Sequence, residues 1–462
     1  MLIKQLRHSG LYFLFALSIV LCQCTPDEED ISRSGELRLS FSQDTVLFDT
    51  LFTERQSITK QLKVYNTAEN AVETNIALAE GRDSYYKVYV NGRQDILFED
   101  VLIRGGDSLL ILVEVQLPAR DEDLPFLIED ALLFVTNQAE QAVRLLSWGQ
   151  EAHFIRALTV SRDTTFSGSR PLVITDSIWV QQPATLTIEA GTKLYFERGG
   201  NLWIDGSLQV KGSVEAPVLF THVRQDDTYA NAPGQWQGIL MSEQSKDHLI
   251  NYAIVRNAEV GFFLATADED TIPDLRISNT IIENMSINGI LAGNADIDAY
   301  NLQVTHCIVN AVGNFGKGYY RYRHCTFAND ALAVSREGPT LFFSDTLLAE
   351  SSIAQPFELV LINNIIWGSR KDELSLLLEQ ASSEVAIRSN LIKADPAAFP
   401  FVEENILNEP PQFTDPAIYI YTLDSTSAAI DQGVPLNIAQ DIRGFDRDSL
   451  PDLGAYEYLP ED

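Results

Sequence analysis

The sequence predicts an all-β chain: an antiparallel sandwich, then a long parallel β-helix, then a C-terminal capping segment. Three observations carry this. Short strands of alternating apolar and polar residues recur at regular intervals over roughly residues 36–154. Beyond them, seven short segments stack in one repeating pattern. The 462 residues are 45% hydrophobic and 10% aromatic, enough to bury a large core and to exclude global disorder. Lys and Arg number 33 against 65 Asp and Glu, so the formal charge is 33 − 65 = −32. That acidity opposes broad contact with phosphate backbones and docking on anionic lipid, and no nucleic-acid partner is expected. Four cysteines are too few to staple a chain of this size.

The first element is a targeting segment. Lys4 and Arg7 form a basic start, and residues 11–21 are an apolar run too short for a comfortable membrane span. The run ends at Leu21-Cys22-Gln23-Cys24, which resembles a bacterial lipoprotein signal. By that resemblance residues 1–23 are removed and Cys24 receives lipid. Gln23 departs from the small residue usual there, which leaves Cys22 as a competitor. An ordinary secretory signal with incidental cysteines is the plainer alternative. The acidic run Asp27-Glu28-Glu29-Asp30 lies within a tether over residues 24–35 and resembles the export signal of Bacteroidetes-type surface lipoproteins. The resemblance implies an outer-membrane protein held by its lipid at the cell surface, with the periplasmic face as the other option. A solvated linker would look the same. Cleavage before Cys24 removes Lys4 and Arg7 but no acid, so the mature charge becomes 31 − 65 = −34.

Residues 36–155 form the sandwich. Leu37, Leu39 and Phe41 alternate with polar residues, and apolar runs around Val64, Val88 and Ile111 follow. Turn residues such as Asn91-Gly92 and Gly105-Gly106-Asp107 separate them. The segment resembles immunoglobulin-like modules at the start of such lipoproteins. It holds no catalytic constellation, so spacing and docking are its expected work.

Residues 156–408 carry the repeat. Seven segments align at positions 252, 279, 306, 324, 345, 363 and 389, in steps of 27, 27, 18, 21, 18 and 26. One coil of a parallel β-helix takes about that many residues, and a coil buries its apolar side only against neighbours. In this alignment Ala253, Thr280, Cys307, Cys325, Thr346, Asn364 and Asn390 share a small-residue column. Pairs such as Leu275 with Ile277, and Tyr320 with Tyr322, have the period-two spacing of an inward face. With the upstream alternation around Ile188, Leu194, Ile204 and Val210, the pattern resembles right-handed parallel β-helix proteins of the pectin-lyase-like fold. That fold hosts lyases, hydrolases and adhesins alike, so it does not settle activity.

Residues 409–462 contain Asp431-Gln432-Gly433, Asp441-Ile442-Arg443-Gly444 and Pro451-Asp452-Leu453-Gly454, which resemble the choice-of-anchor Q type of terminal module. An open β-helix end exposes strand edges and core, so this segment is expected to close it. Asp441, Arg443, Arg447, Asp452 and Glu457 could clasp it by ion pairs, with metal binding by these acids as the less favoured option.

Lyases on this fold resemble one another in using an Arg or Lys base with calcium, and hydrolases in using clustered Asp side chains. Both need charges converging on the outer face of adjacent coils. The aligned outward positions show no carboxylate ladder, which counts against an enzyme there. One basic patch stands out in Lys317-Gly318-Tyr319-Tyr320-Arg321-Tyr322-Arg323-His324. With Tyr320 and Tyr322 inward, Tyr319, Arg321 and Arg323 point out, beside Gln303 and Thr305 on the preceding coil and Arg276 two coils back. Guanidinium groups with an aromatic ring suit a carboxylated or sulfated glycan. Pairing of these arginines with local acids is the plainer reading. Arg276, Gln303, Lys317, Tyr319, Arg321 and Arg323 are therefore the candidate ligand contacts. Were the chain an enzyme, Arg321, Arg323 and His324 would be tested first.

His306-Cys307 and His324-Cys325, one aligned coil apart, invite a zinc site, but alternation turns His and Cys to opposite faces. Stacked core cysteines or a disulfide fit better, and no metal is assigned. The acids Asp268-Glu269-Asp270 read as a solvated loop, with calcium a minor option, and no cofactor is expected. The resulting expectation is a lipid-anchored envelope protein that binds acidic glycans without catalysis. A polysaccharide lyase or hydrolase is the alternative, and an adhesin or scaffold the third.

Overall fold

A computed structural model describes residues 30–53, 57–118, 125–226, 228–265, 270, 272–329, 336, 338–346, 356–380 and 382–460. The signal segment, Cys24, the tether before Asp30, and Asp268 and Glu269 lie outside the described residues. The chain divides into two compact units, with the boundary between Gly149 and Gln150.

In the first unit, period-two alternation gives each strand one apolar face, and two five-stranded sheets pack those faces together. One sheet runs Ser40–Phe41, Lys60–Tyr65, Ser108–Val115, Tyr86–Val90, Arg93–Asp95; the other runs Thr45–Phe52, Ala139–Gln150, Phe126–Thr136, Val72–Leu78, Leu97–Ile103. The inner pairs are antiparallel. Val64, Val88 and Ile111 of one sheet meet Ile76, Phe134 and Val143 of the other in one core. The Tyr86 hydroxyl bridges the sheets, 3.1 Å from the Ile128 carbonyl and 3.0 Å from Ser147 Oγ. Burial pushes that phenol up to about 12. This is the expected β-sandwich.

The second unit is the expected parallel β-helix, a continuous 25-stranded sheet wound into three faces. The first face includes Thr185–Glu189, Ser207–Lys211, His248–Asn251, Gly318–Arg323, Phe357–Ile362 and Glu384–Arg388. The second includes Lys193–Phe196, Val218–His222, Ala253–Arg256, Thr326–Asn329 and Ile365–Gly368. The third includes Asn201–Ile204, Trp236–Met241, Ala258–Leu264, Asn288–Gly293, Asn310–Phe315 and Leu341–Ser344. Leu275–Met285 and Ile297–Cys307 bend at Asn279 and Asn301 and serve both the first and second faces. Inward rungs such as Leu208, Leu275, Ile297, Tyr320 and Leu359 have no exposed surface or almost none and belong to one extended core.

The corner between the first two faces corrects the sequence alignment. Tyr252, Asn279, Asn301, His324, Asn363 and Ser389 all take positive φ, between 48° and 60°. The ladders place them one above another, in steps of 27, 22, 23, 39 and 26. His306 belongs to a different corner, between the second and third faces, with Asn257 and Asn284. Asp345 follows a strand of the third face. Both corners demand a left-handed residue, a conformation in which Asn and His are enriched, so one local spelling occurs twice per coil. The alignment mixed the two. The shared corner builds side-chain ladders in which Asn301 donates to Asn279 at 2.9 Å and Asn364 donates to Asn390 at 2.9 Å.

The C-terminal segment also departs from expectation. It lies along the outer flank of the second face, where Tyr421, Ile442, Ala455 and Tyr456 cluster with Ala328, and Leu423, Ala429 and Leu453 with Ile365 and Leu391. At the end of the barrel, Phe399 and Phe401 join the main core instead. The reason is apolar surface: Ile281, Ile365 and Leu391 face outward on the second face and need a cover. Gly454 makes the close approach possible, at φ +90° with its absent Cβ position only 2.7 Å from Thr326 Oγ1.

The expected clasp fixes this flank. Arg447 pairs with Glu457 at 2.9 Å and Arg443 with Asp441 at 3.1 Å. The Asp452 carboxylate accepts backbone N–H groups from Asp431 at 2.7 Å and Tyr458 at 2.6 Å. Burial nonetheless pushes its carboxyl up to about 6.

Candidate functional site

Along the first face the strands stack so that outward side chains form two adjoining columns. One reads Leu249, Arg276, Asp298, Arg321, Val360; the other reads Asn251, Ser278, Tyr300, Arg323, Ile362. Tyr319 and Glu358 share a rung beside them. Tyr320 and Tyr322 are fully buried while Tyr319, Arg321 and Arg323 stay half-buried at the surface, as period-two alternation requires.

Guanidinium groups and acids interleave in this strip. Arg323 forms an ion pair with Asp298, and Arg321 lies 3.9 Å from Glu358. The Arg321 guanidinium carbon sits 5.7 Å from the Tyr319 ring centroid, and that of Arg323 sits 5.8 Å from the ring of Tyr300. Arg276 is exposed and has no ion pair among the described residues. It borders a depression of about 240 Å³ with Gln209, Asp247, His248, Leu249, Ile272 and Pro273.

Two of the sequence-predicted contacts, Gln303 and Lys317, fall elsewhere, as does Thr305, expected beside them. Gln303 is buried on the second face, where it accepts a hydrogen bond from the Tyr456 hydroxyl under the C-terminal flank. Thr305 is buried on that face too. Lys317 is in the turn before the strip; its backbone N–H bonds Asn294 Oδ1 at 2.9 Å and its carbonyl accepts the Tyr320 hydroxyl at 3.1 Å. The cause is the register: the coil preceding Arg321 presents Asp298 and Tyr300, not Gln303 and Thr305.

His324 is not at the surface. It is fully buried at the corner, with Nδ1 3.2 Å from the Asp452 carbonyl and Nε2 2.9 Å from Asn363 Nδ2. An Nδ1–H donor and an Nε2 acceptor satisfy both partners, and burial holds the imidazole down to about 3. It is a neutral corner residue without access to substrate. His248, beside the Arg276 depression, is likewise buried inward: Nδ1 accepts the Leu208 N–H at 3.2 Å and Nε2 lies 3.1 Å from Ser245 Oγ. Burial brings it down to about 3 as well, so neither ring is poised as a base.

Cys307 and Cys325 are both free and buried, at different corners, so the paired His-Cys motif gathers neither a zinc site nor a disulfide. Among the described residues no cluster of three or more His, Cys, Asp or Glu side chains could hold a metal ion. Asp270 uses its carboxylate on the Ile272 N–H at 2.7 Å.

Asp298, Tyr300 and Glu358 were missed in the sequence. Ile297, Asp298, Ala299 and Tyr300 do alternate, ahead of an Asn301 that matches Asn279; that signal sufficed to place Asp298 outward. The apparent lack of outward carboxylates, and the case against an enzyme built on it, came from the misread register.

No family model matches the chain, and no curated protein does. Among solved structures, the chain is similar to the catalytic unit of a GH87 alpha-1,3-glucanase from Streptomyces thermodiastaticus, at 10% identity, over 72% of this chain and 74% of that one, with a TM-score of 0.29. A GH87 alpha-1,3-glucanase catalytic domain in complex with nigerose aligns at 9% identity, over 77% of this chain and 99% of that one, with a TM-score of 0.14. The periplasmic chaperone SfaE aligns at 15% identity and a TM-score of 0.17, over 25% of this chain, which spans 58% of the chaperone. At these identities and scores the likenesses carry no functional argument, and the reading of the site rests on its own geometry.

Proposed function

We propose that this protein is a glycan-binding protein of the bacterial cell envelope, anchored through Cys24, which docks a carboxylated polysaccharide along the first face of its β-helix. The observation that carries this is the strip from Arg276 to Arg323, in which Arg276 has no ion pair among the described residues and Arg321 has only a long one beside Tyr319. A sugar carboxylate could take bidentate hydrogen bonds from Arg276 and compete with Glu358 for Arg321, while a pyranose face meets Tyr319. The strip crosses successive coils along the helix axis, which suits an extended chain.

Hydrolysis is the second reading, favoured by the presence of Asp298 and Glu358 on the same strip. Both carboxylates already face guanidinium groups, Asp298 that of Arg323 and Glu358 that of Arg321, so neither stands open toward a sugar ring. Binding is therefore the better fit. The test is to incubate the full chain with a panel of acidic polysaccharides, with and without calcium, scoring retention and new reducing or unsaturated ends. Retention that falls with salt and with Arg276→Ala supports binding. Released products would establish the enzyme reading, and no retention would end the proposal.

A further inference from the structure

The third face carries a feature that the strip on the first face does not explain. Trp179 and Trp203 occupy neighbouring outward rungs and are 42% and 41% exposed. Below them the same column continues through Leu240, Phe263, Leu291, Gly313 and Phe342. With rungs about 4.8 Å apart, the seven positions span roughly 29 Å. At the bare Gly313 rung the Asn288 amide nitrogen and the Phe315 ring edge lie 2.7 and 3.4 Å from where a Cβ would stand, and that ring is 5.3 Å from the Phe342 ring centroid. The two tryptophans are exposed, Leu240, Phe263, Leu291 and Phe342 are half-buried and Gly313 is buried, and an apolar line of this length at a protein surface marks an interaction site.

The two indoles are also held. Trp179 Nε1–H donates to one oxygen of Asp205 at 2.6 Å and Trp203 Nε1–H to the other at 2.8 Å. One carboxylate thus fixes the edges of both rings and takes up their only polar groups. Hydrogen bonding holds Asp205 below the usual carboxylate range despite partial burial, so the clamp stays charged. Beside Trp203, Asn201 Nδ2 donates to Gln237 Oε1 at 2.8 Å, which places amide donors and acceptors along the edge of the line. The column itself contains no Lys, Arg, Asp or Glu, and the charge next to it is the anion of Asp205.

We propose that this ladder is a second polysaccharide platform, specific for an uncharged glycan. Sugar rings present C–H faces that stack on indole and phenyl rings, and hydroxyls at their rims that amides can bond. An anionic glycan, a phospholipid or a nucleic acid would find no cation among the residues of this column. A line of evenly spaced rungs along the helix axis matches an extended polymer better than a compact ligand. The platform is on a different face from the Arg276 strip and takes a different class of sugar, so it stands or falls by itself.

The test uses the full chain with uncharged polysaccharides (a β-glucan, an α-glucan, a mannan and a xylan) in affinity electrophoresis, with tryptophan fluorescence as a second readout. At least one should retard the protein and shift its emission. Trp179→Ala and Trp203→Ala should each weaken retention about tenfold, about 1.4 kcal/mol, with the melting temperature preserved. Asp205→Asn, which keeps one acceptor oxygen and frees one indole, should fall between wild type and those variants. No retardation by any of the four, or a folded double variant retained as well as wild type, would overturn the platform. Conversion of a dimer to a monomer by the Trp variants, without any glycan effect, would assign the line to self-association instead. Acidic polysaccharides read against Arg276→Ala test the first strip separately.

Discussion

Arg447 ties the C-terminal flank to the β-helix through Asn301: its Nη2 donates to Asn301 Oδ1 at 3.1 Å while its Nη1 pairs with Glu457 at 2.9 Å. Asn301 is the corner residue whose own amide donates to Asn279 and to the Gln440 carbonyl. One guanidinium therefore joins the terminal segment to the ladder that shapes the coils. Only 3% of the Arg447 side chain and 8% of that of Glu457 are exposed.

Removing Arg447 would leave the Glu457 carboxylate buried without its counter-charge. Arg447→Met is expected to cost about 3–5 kcal/mol. The flank should loosen before the barrel does, so limited proteolysis should cut within residues 409–460 of the variant at protease levels that leave wild type whole. Equal resistance of the two proteins would contradict this.

Gly454→Ala should also destabilise the flank. An added Cβ would sit 2.7 Å from Thr326 Oγ1 and 2.8 Å from Ile365 Cδ1, at φ +90°. Strain and overlap together should cost about 2–3 kcal/mol. A drop in melting temperature with an unchanged first unit is the expected calorimetric result.

Stability should fall steeply in mild acid. Burial pushes His222 and His306 down to about 4, and His248 and His324 down to about 3. Their folded pKa lies below the unfolded one, so their contribution is complete above pH about 6.5 and is lost as the pH falls toward 4 and then 3. Asp452, raised to about 6, acts oppositely: its contribution is complete below about pH 4 and is lost as the pH rises to 6. Burial also raises Glu283, which acts with Asp452, so four imidazoles against two carboxyls leave a net loss on acidification of at most about 3 kcal/mol per pH unit between pH 6 and 4. Denaturant unfolding across pH 4–8 checks the sign, and stability that is flat or higher at pH 4 would refute it.

Cys307 and Cys325 should be silent to a thiol reagent in the native protein. Both are fully buried, and burial pushes each thiol up to about 12. Each should label only after denaturation, and without prior reduction because neither is bonded. Rapid labelling in native buffer would show that the corners open.

The strand alternation that buries Tyr320 and Tyr322 and turns Arg321 and Arg323 toward the surface was legible because it depends only on period two within one strand. The neighbours of Arg321 were not. They depend on how many residues each corner consumes, and coil steps from 22 to 39 residues hide that count. The local spelling of the corner, a left-handed Asn or His before a buried small residue, occurs at two corners and misdirects a linear alignment. The Trp179–Trp203 pair was missed for a related reason: its partner in the clamp, Asp205, is adjacent to both only because Trp179 and Trp203 share a ladder.

The all-β class, the sandwich followed by the β-helix, and the ion-pair clasp at the C-terminus could all be read along the chain. These follow from hydrophobic periodicity and from charges close together in the chain. The folded coils place Asp298 and Tyr300 beside Arg321, bury His324 and Gln303, and lay the terminal segment over a flank. Those outcomes depend on register between coils, a sum over every loop length, and on which apolar face is left without a cover after the barrel closes.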